Sequence, residues 1–190
     1  MPVSARHRAL LLLAFLAPTA AFTASDKVAR QQEDLRKMAR STIEELYRLQ
    51  PRSQDALKNA AGYAVFSNFG LKILVGGGGS GNGVAFDREG RNVTYMKMAE
   101  IQAGLGVRAK KYRQVWVFEN ASDLERFTNS GWELGGQATL SAKLNGEGGS
   151  VFTGALSVRP GVWLYQLSGD GLAADLTAKG TRYYRNKALN

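Results

Sequence analysis

The chain has 190 residues, enough for one domain with a proper core, and 44% of them are apolar. Lysine and arginine outnumber aspartate and glutamate by 25 to 16, which gives a net charge of +9. Cysteine is absent and His7 is the single histidine. These counts exclude a disulfide framework and favour an anionic partner.

The first 21 residues have the pattern of a secretory signal peptide. Residues 6–8 are basic, residues 9–17 are apolar, and residues 19–21 are small, as a cleavage site requires. The apolar run is too short for a bilayer-spanning helix, which needs about 20 apolar residues. We therefore predict an exported protein of the periplasm or cell envelope, with one mature domain over residues 22–190. An uncleaved N-terminal anchor is the alternative.

The mature chain would contain neither histidine nor cysteine, because His7 leaves with the leader. Ser-His-Asp and Cys-His catalysis and the usual zinc sites are then excluded. Two carboxylate pairs remain, Asp87 with Glu89 and Asp170 with Asp175, and both lie in or beside glycine-containing turn sequences. The sequence predicts a protein that is not an enzyme and that uses no metal or other cofactor. A carbohydrate-active enzyme using these acids is the alternative.

Three helices are predicted. The first covers residues 25–49, where apolar residues recur at spacings of three, four or seven and form one buried stripe. The stripe consists of Val28, Leu35, Met38, Thr42, Leu46 and Leu49. A second helix is predicted over residues 53–61, with its first residue, a serine, as the N-cap. The third covers residues 122–129 and starts with a capping box of Ser122 and Glu125.

The stretch after the second helix is rich in glycine. Six of the eight residues from Gly76 to Gly83 are glycine, between flanks rich in Val, Ile, Phe and Tyr that favour strands. Gly77, Gly79, Gly81 and Gly83 fall two apart, so an extended strand would have one face without side chains. Another backbone or helix could approach closely on that face.

The same glycines formally satisfy the GxGxxG pattern of nucleotide-binding loops, through Gly76, Gly78 and Gly81. Such a loop needs a helix N-terminus directly after it, which presents free amides to phosphate. Here the strand-like run Val84 to Asp87 follows instead. The sequence therefore predicts no nucleotide site.

From residue 62 onward the chain has the pattern of strands joined by turns. The predicted strands include 114–118, 134–144, 150–158, 162–167 and 172–178, with turns at 87–90, 145–149, 159–161 and 169–171. We predict an α+β fold in which N-terminal helices (residues 25–61) pack on a glycine-rich, mainly antiparallel β-sheet or barrel-like sandwich (residues 62–185).

An ordered set of short motifs carries a family resemblance. In chain order these are Gly62-Tyr63-Ala64-Val65-Phe66, the glycine-rich segment Gly76 to Gly83, Gln102-Ala103-Gly104-Leu105-Gly106, Val115-Trp116-Val117-Phe118, Leu134-Gly135-Gly136-Gln137-Ala138 and Leu164-Tyr165-Gln166. Together they resemble the SYLF domain family over about residues 35–180. The resemblance implies lipid or membrane binding and no catalysis. We expect no actin binding, because the protein is predicted to be exported.

The resemblance also implies candidate lipid-binding residues, since the lipid contact of the family is attributed in part to a basic amphipathic N-terminal segment. The corresponding residues here are Lys27, Arg30, Arg36, Lys37 and Arg40. Lys110, Lys111 and Arg113 form a second candidate patch, for which a charged hairpin turn is the alternative. The predicted partner is an anionic phospholipid or membrane surface.

Other partners remain as alternatives. The chain could be an envelope protein that binds a protein or an acidic polysaccharide, and nucleic acid is not expected for an exported protein. A small outer-membrane β-barrel is a further class. The predicted N-terminal helices argue against it, because they occupy chain that such a barrel would need for strands.

Overall fold

The computed structural model describes residues 24–73, 76–103, 108–134, 152–169, 171–172 and 180–190. Within these segments the chain forms three helices and nine strands, with two of the helices before the first strand. The α+β fold predicted from the sequence is confirmed. The predicted leader, the predicted turn at 145–149 and the acids Asp170 and Asp175 lie outside the described residues.

The helices are α1 (Ala24–Leu49), α2 (Ser53–Asn59) and α3 (Ala121–Asn129). All three were predicted, but the predicted N-caps are wrong. Ser53 already belongs to α2, and its Oγ donates to the carbonyl of Gln50 at 2.6 Å. Ser122 lies inside α3, which follows Asn120 without a side-chain cap hydrogen bond. A serine inside the first turn forms hydrogen bonds with nearby carbonyls or with solvent, so it does not cap the free N–H groups at the start of the helix.

The apolar stripe of α1 packs on the sheet. Ala39, Thr42 and Leu46 are buried, and Val28, Leu35 and Met38 are partly buried against the same core. Leu49, which we assigned to the stripe, is 38% exposed as the last residue of the helix. None of the helices in the described segments has an apolar stretch of the length that a membrane span needs.

The strands form one curled sheet. They are β1 (Gly62–Ile73), β2 (Gly76–Asp87), β3 (Val93–Ala103), β4 (Arg108–Phe118), β5 (Trp132–Leu134), β6 (Leu156–Arg159), β7 (Val162–Ser168), β8 (Gly171–Leu172) and β9 (Thr181–Arg185). Their order is β5-β9-β3-β2-β1-β4-β7-β6, with β8 beside β7, and every pairing in the described segments is antiparallel.

Two of the predicted hairpins are confirmed and one strand is new. The turn at residues 87–90 joins β2 to β3, and the turn at residues 159–161 joins β6 to β7. The chain returns at its end as β9, which inserts between β5 and β3. We predicted no separate strand for β9, so the sequence alone did not indicate how that edge of the sheet is completed.

The sheet has an apolar core on each face. On the α1 face, Val65, Val84 and Val115 pack with residues of α1 and α2. On the α3 face, a group of aromatic rings fills the space beneath α3. Phe66, Trp116, Phe118, Phe127, Trp132 and Tyr183 form this group, with ring centroids 5.0–6.5 Å apart. Alternate residues of each central strand therefore serve different cores.

The glycines of β2 leave room for the side chains of its neighbours. Gly83 is the register partner of Phe66, whose ring lies where a Cβ at Gly83 would be. A Cβ at Gly81 would come within 2.7 Å of Met98 Cγ. The side-chain-free face predicted from the glycine spacing is thus occupied at these positions by side chains of β1 and β3.

This packing makes a prediction for single glycine substitutions. Gly83→Ala should lower the free energy of unfolding by about 1–3 kcal/mol, because the added methyl overpacks the core against Phe66. Gly78→Ala is the matched control, since its Cβ would lie 3.5 Å from the nearest atom, an ordinary contact. Its effect should stay within about 0.5 kcal/mol. Urea unfolding of both variants measures the difference, and equal effects would contradict the packing role of Gly83.

Candidate functional site

The five candidate basic residues of α1 all lie on its solvent side. Because Ala39, Thr42 and Leu46 face the sheet, the charged positions of the helix are turned outward. All five candidates are exposed; they are Lys27, Arg30, Arg36, Lys37 and Arg40. Helix geometry nevertheless separates them into two groups, which differ in their surroundings.

Arg36 and Arg40 belong to one flank of α1 and are held by protein groups. Arg36 Nε donates to the hydroxyl of Tyr95 at 2.7 Å, and its guanidinium lies 5.9 Å from the centroid of that ring. Arg40 forms an ion pair with Glu33 at 2.9 Å. Both arginines line a cleft of about 300 Å³ that also includes Phe86. These contacts restrict the side-chain conformations in which the two arginines could bind a ligand.

Lys27, Arg30 and Lys37 form the other group, in which successive members are three and seven residues apart. This spacing places them along one stripe of the helix surface. The ion pairs found in the described segments include neither Lys27 nor Lys37. Asp34 lies on the same flank of α1, so the stripe is mainly but not purely basic.

The second candidate patch is part of a strand. Residues 110–113 lie within β4, between β1 and β7, so the hairpin turn considered for this stretch is wrong. Strand alternation puts Lys111 and Arg113 on the same face of the sheet. Arg113 Nη1 lies 2.5 Å from Glu45 Oε2, which joins β4 to α1. Lys111 is exposed, and the side chain of Lys110 is outside the described part of the chain.

The carboxylate pair Asp87 and Glu89 has a structural role in the turn after β2. Asp87 accepts hydrogen bonds from the backbone of Arg91 and from Asn92 Nδ2, at 2.8 and 2.6 Å. Desolvation alone would raise the pKa of Asp87, but the hydrogen bonds from Asn92 and Arg91 and the charge of Arg91 together outweigh it and lower this pKa. Glu89 forms an ion pair with Arg91. No three acidic, histidine or cysteine residues group as metal ligands within the described segments.

A buried polar cluster on the α3 face was not predicted from the sequence. Glu100 is 3% exposed, and one of its oxygens accepts from Asn68 Nδ2 at 2.8 Å and from the Tyr112 hydroxyl at 2.6 Å. Asn68 belongs to β1 and Glu100 to β3, so their side chains meet across the glycines of β2. No sequence pattern indicates that these polar residues meet, because they belong to strands that are far apart in the chain.

A second group of hydrogen bonds continues on the same face. The Tyr183 hydroxyl donates to Gln114 Oε1 at 2.7 Å, and Gln114 Nε2 donates to Gln166 Oε1 at 3.3 Å. Burial raises the pKa of Tyr183 above its ordinary value. Burial, followed by the hydrogen bond to Glu100, likewise raises the pKa of Tyr112. Both hydroxyls therefore stay protonated in the folded protein well above neutral pH.

Fold and surface together define a small α+β protein with exposed basic residues on a helix that covers one face of a curled antiparallel sheet. The chain is 30% identical over 161 residues to a protein of Aeromonas veronii named beta cell expansion factor A. The aligned region covers 80% of this chain and 56% of that protein, so the chain spans little more than half the length of this homologue. No family model matches the chain.

The buried tyrosines predict a loss of stability at alkaline pH. An unfolded tyrosine releases its proton above about pH 10, whereas Tyr112 and Tyr183 keep theirs in the folded state. The free energy of unfolding should therefore fall above pH 10, by up to about 1.4 kcal/mol per pH unit for each of the two residues.

Urea unfolding between about pH 8 and 11 tests this prediction. Tyr183→Phe should give a shallower decline, and the exposed Tyr184 provides the control as Tyr184→Phe. An unchanged slope in Tyr183→Phe would contradict the assignment.

Proposed function

We propose that this chain is a SYLF-type domain that binds the surface of anionic phospholipid membranes peripherally. The observation that carries the proposal is the arrangement of α1, whose apolar stripe is packed on the sheet while Lys27, Arg30 and Lys37 are exposed. The family resemblance and the excess of basic over acidic residues support the same function. Export to the periplasm or cell envelope, as the leader sequence predicts, would bring the protein to such surfaces.

The physical basis is Coulomb attraction and not insertion. A basic residue near an anionic membrane contributes about 1 kcal/mol, and this contribution falls off within a Debye length. Three such residues would give about 3 kcal/mol, enough for reversible binding at low salt. Because α1 already buries Leu46 and its neighbours in the core, the helix offers charge to the membrane and keeps its apolar residues inside the protein.

Co-sedimentation with vesicles tests the proposal. We expect the protein to sediment with phosphatidylglycerol vesicles at low salt, to be released at about 0.5 M salt, where the Debye length is only a few ångström, and to ignore phosphatidylcholine vesicles. Combined replacement of Lys27, Arg30 and Lys37 by glutamate should weaken binding by at least about tenfold, since three attractions become repulsions.

The matched control reverses three exposed basic residues elsewhere, Arg52, Lys58 and Arg88, and has the same net charge. It should retain most of the binding. Equal losses of vesicle binding in both variants would show that the net charge attracts the protein to the membrane and that α1 provides no specific binding surface. Failure to bind either vesicle would contradict the lipid function and favour a protein or acidic polysaccharide partner.

A further inference from the structure

A row of polar side chains crosses the sheet beside α1. The register places Lys97 of β3 opposite Asn82 of β2, Asn82 opposite Ser67 of β1, and Ser67 opposite Arg113 of β4. These four residues, here called the polar row, have a cation at each end and an amide and a hydroxyl between them. Asn82 is exposed and the other three are partly exposed.

The neighbouring row of the same face has the opposite character. Two residues away along each of β3, β2, β1 and β4, the register aligns Tyr95, Val84, Val65 and Val115, and all four are buried under the helical layer. Between these two rows, the surface of all four strands changes from apolar and covered to polar and accessible. A boundary of this kind indicates that the polar row faces something other than the core.

The polar row borders two clefts along the flank of α1. The larger cleft, of about 570 Å³, is lined by Ser67, Asn82, Lys111 and Arg113 and is bounded by Glu45 of α1. A second cleft, of about 330 Å³, is lined by Asn82 and Lys97 among others. Both volumes lie within the range of about 300–1,000 Å³ that is common for small-ligand sites. Asn82 belongs to both clefts and connects them.

The chemistry of this lining suits a phosphate group. Arginine and lysine donate charge-assisted hydrogen bonds, and the hydroxyl of Ser67 and the amide of Asn82 are neutral donors. A lipid phosphate presents oxygen acceptors and carries negative charge, so it can accept hydrogen bonds from the donors that line the larger cleft, Ser67, Asn82, Lys111 and Arg113. Arg113, with its planar guanidinium, can bind two phosphate oxygens at once.

We propose that Ser67, Asn82 and Arg113 of the polar row, with Lys111, bind the phosphate of an anionic glycerophospholipid head group in the larger cleft. The proposal rests on the proposed membrane function and deepens it, because it gives the surface a specific head-group site in addition to diffuse attraction. Gln31, Asp34 and Leu35 of α1 line the second cleft and Glu45 borders the larger one, so a head group held there lies along α1.

Glu45 competes with the phosphate for Arg113. The two side chains form an ion pair at 2.5 Å while 41% of Arg113 and 29% of Glu45 remain exposed. A phosphate in the cleft would have to share the guanidinium with this carboxylate and would be repelled by it. Removing the carboxylate should therefore strengthen binding, whereas removing the guanidinium should weaken it.

Calorimetric titration of the full chain with glycerol 3-phosphate tests the site. Arg113→Gln and Lys111→Gln should each weaken binding by about tenfold, and Asn82→Ala, which leaves all charges in place, by about threefold. Glu45→Gln should tighten binding several-fold. Lys58→Gln is the control with the same charge change on an exposed residue of α2, and it should bind like the parent protein.

The outcomes separate the site from the function. Equal effects of Arg113→Gln and Lys58→Gln, or weaker binding by Glu45→Gln, would overturn the site. Inorganic phosphate binding as tightly as glycerol 3-phosphate would overturn its assignment to a lipid head group. If glycerol 3-phosphate does not bind but vesicles do, the site fails and the membrane function stands; if neither binds, both fail. Matching unfolding midpoints in urea would show that the variants are folded.

Discussion

The absence of side chains at Gly81 and Gly83 of β2 is the constraint on which the α3 face depends. Because Gly81 and Gly83 carry no Cβ, side chains from β1 and β3 extend over β2 and contact one another. Phe66 uses this space to reach the aromatic core, and Asn68 uses it to reach Glu100. A glycine-rich strand in the middle of a sheet is costly in backbone entropy. Here that cost is offset by contacts that three ordinary adjacent strands could not make.

The opposite face of the same sheet is divided by α1. The helix covers the apolar row that includes Val65 and Val84, and it leaves uncovered the polar row that includes Ser67 and Asn82. A helix with a narrow buried stripe thus both completes the core and sets the boundary of the accessible surface. Asp34 and Glu45 of α1 line shared clefts with the cations of β3 and β4 because of this placement, although they are far apart in the chain.

Local patterns predicted the elements that depend on neighbouring residues. The periodicity of α1 and the two-residue spacing of the glycines were sufficient to predict a helix packed by one stripe and a strand with a bare face. Contacts between distant strands were not predictable, because the local sequence around Asn68 or Glu100 does not determine the register that brings them together. The charged run at residues 110–113 resembled a turn, yet Arg113 satisfies its charge with Glu45 of a helix 68 residues away.

The central strands contribute side chains to both cores, and this also restricts how the sheet can rearrange. In β1, Val65 packs on the α1 face while Ala64 and Phe66 pack on the α3 face. Slippage of β1 by a single residue would send an aromatic ring into the helical layer and a valine into the aromatic cluster at the same time. Neither layer could adapt alone. The pairing of the central strands is therefore locked from both sides, and an alternative alignment would require the whole domain to come apart first.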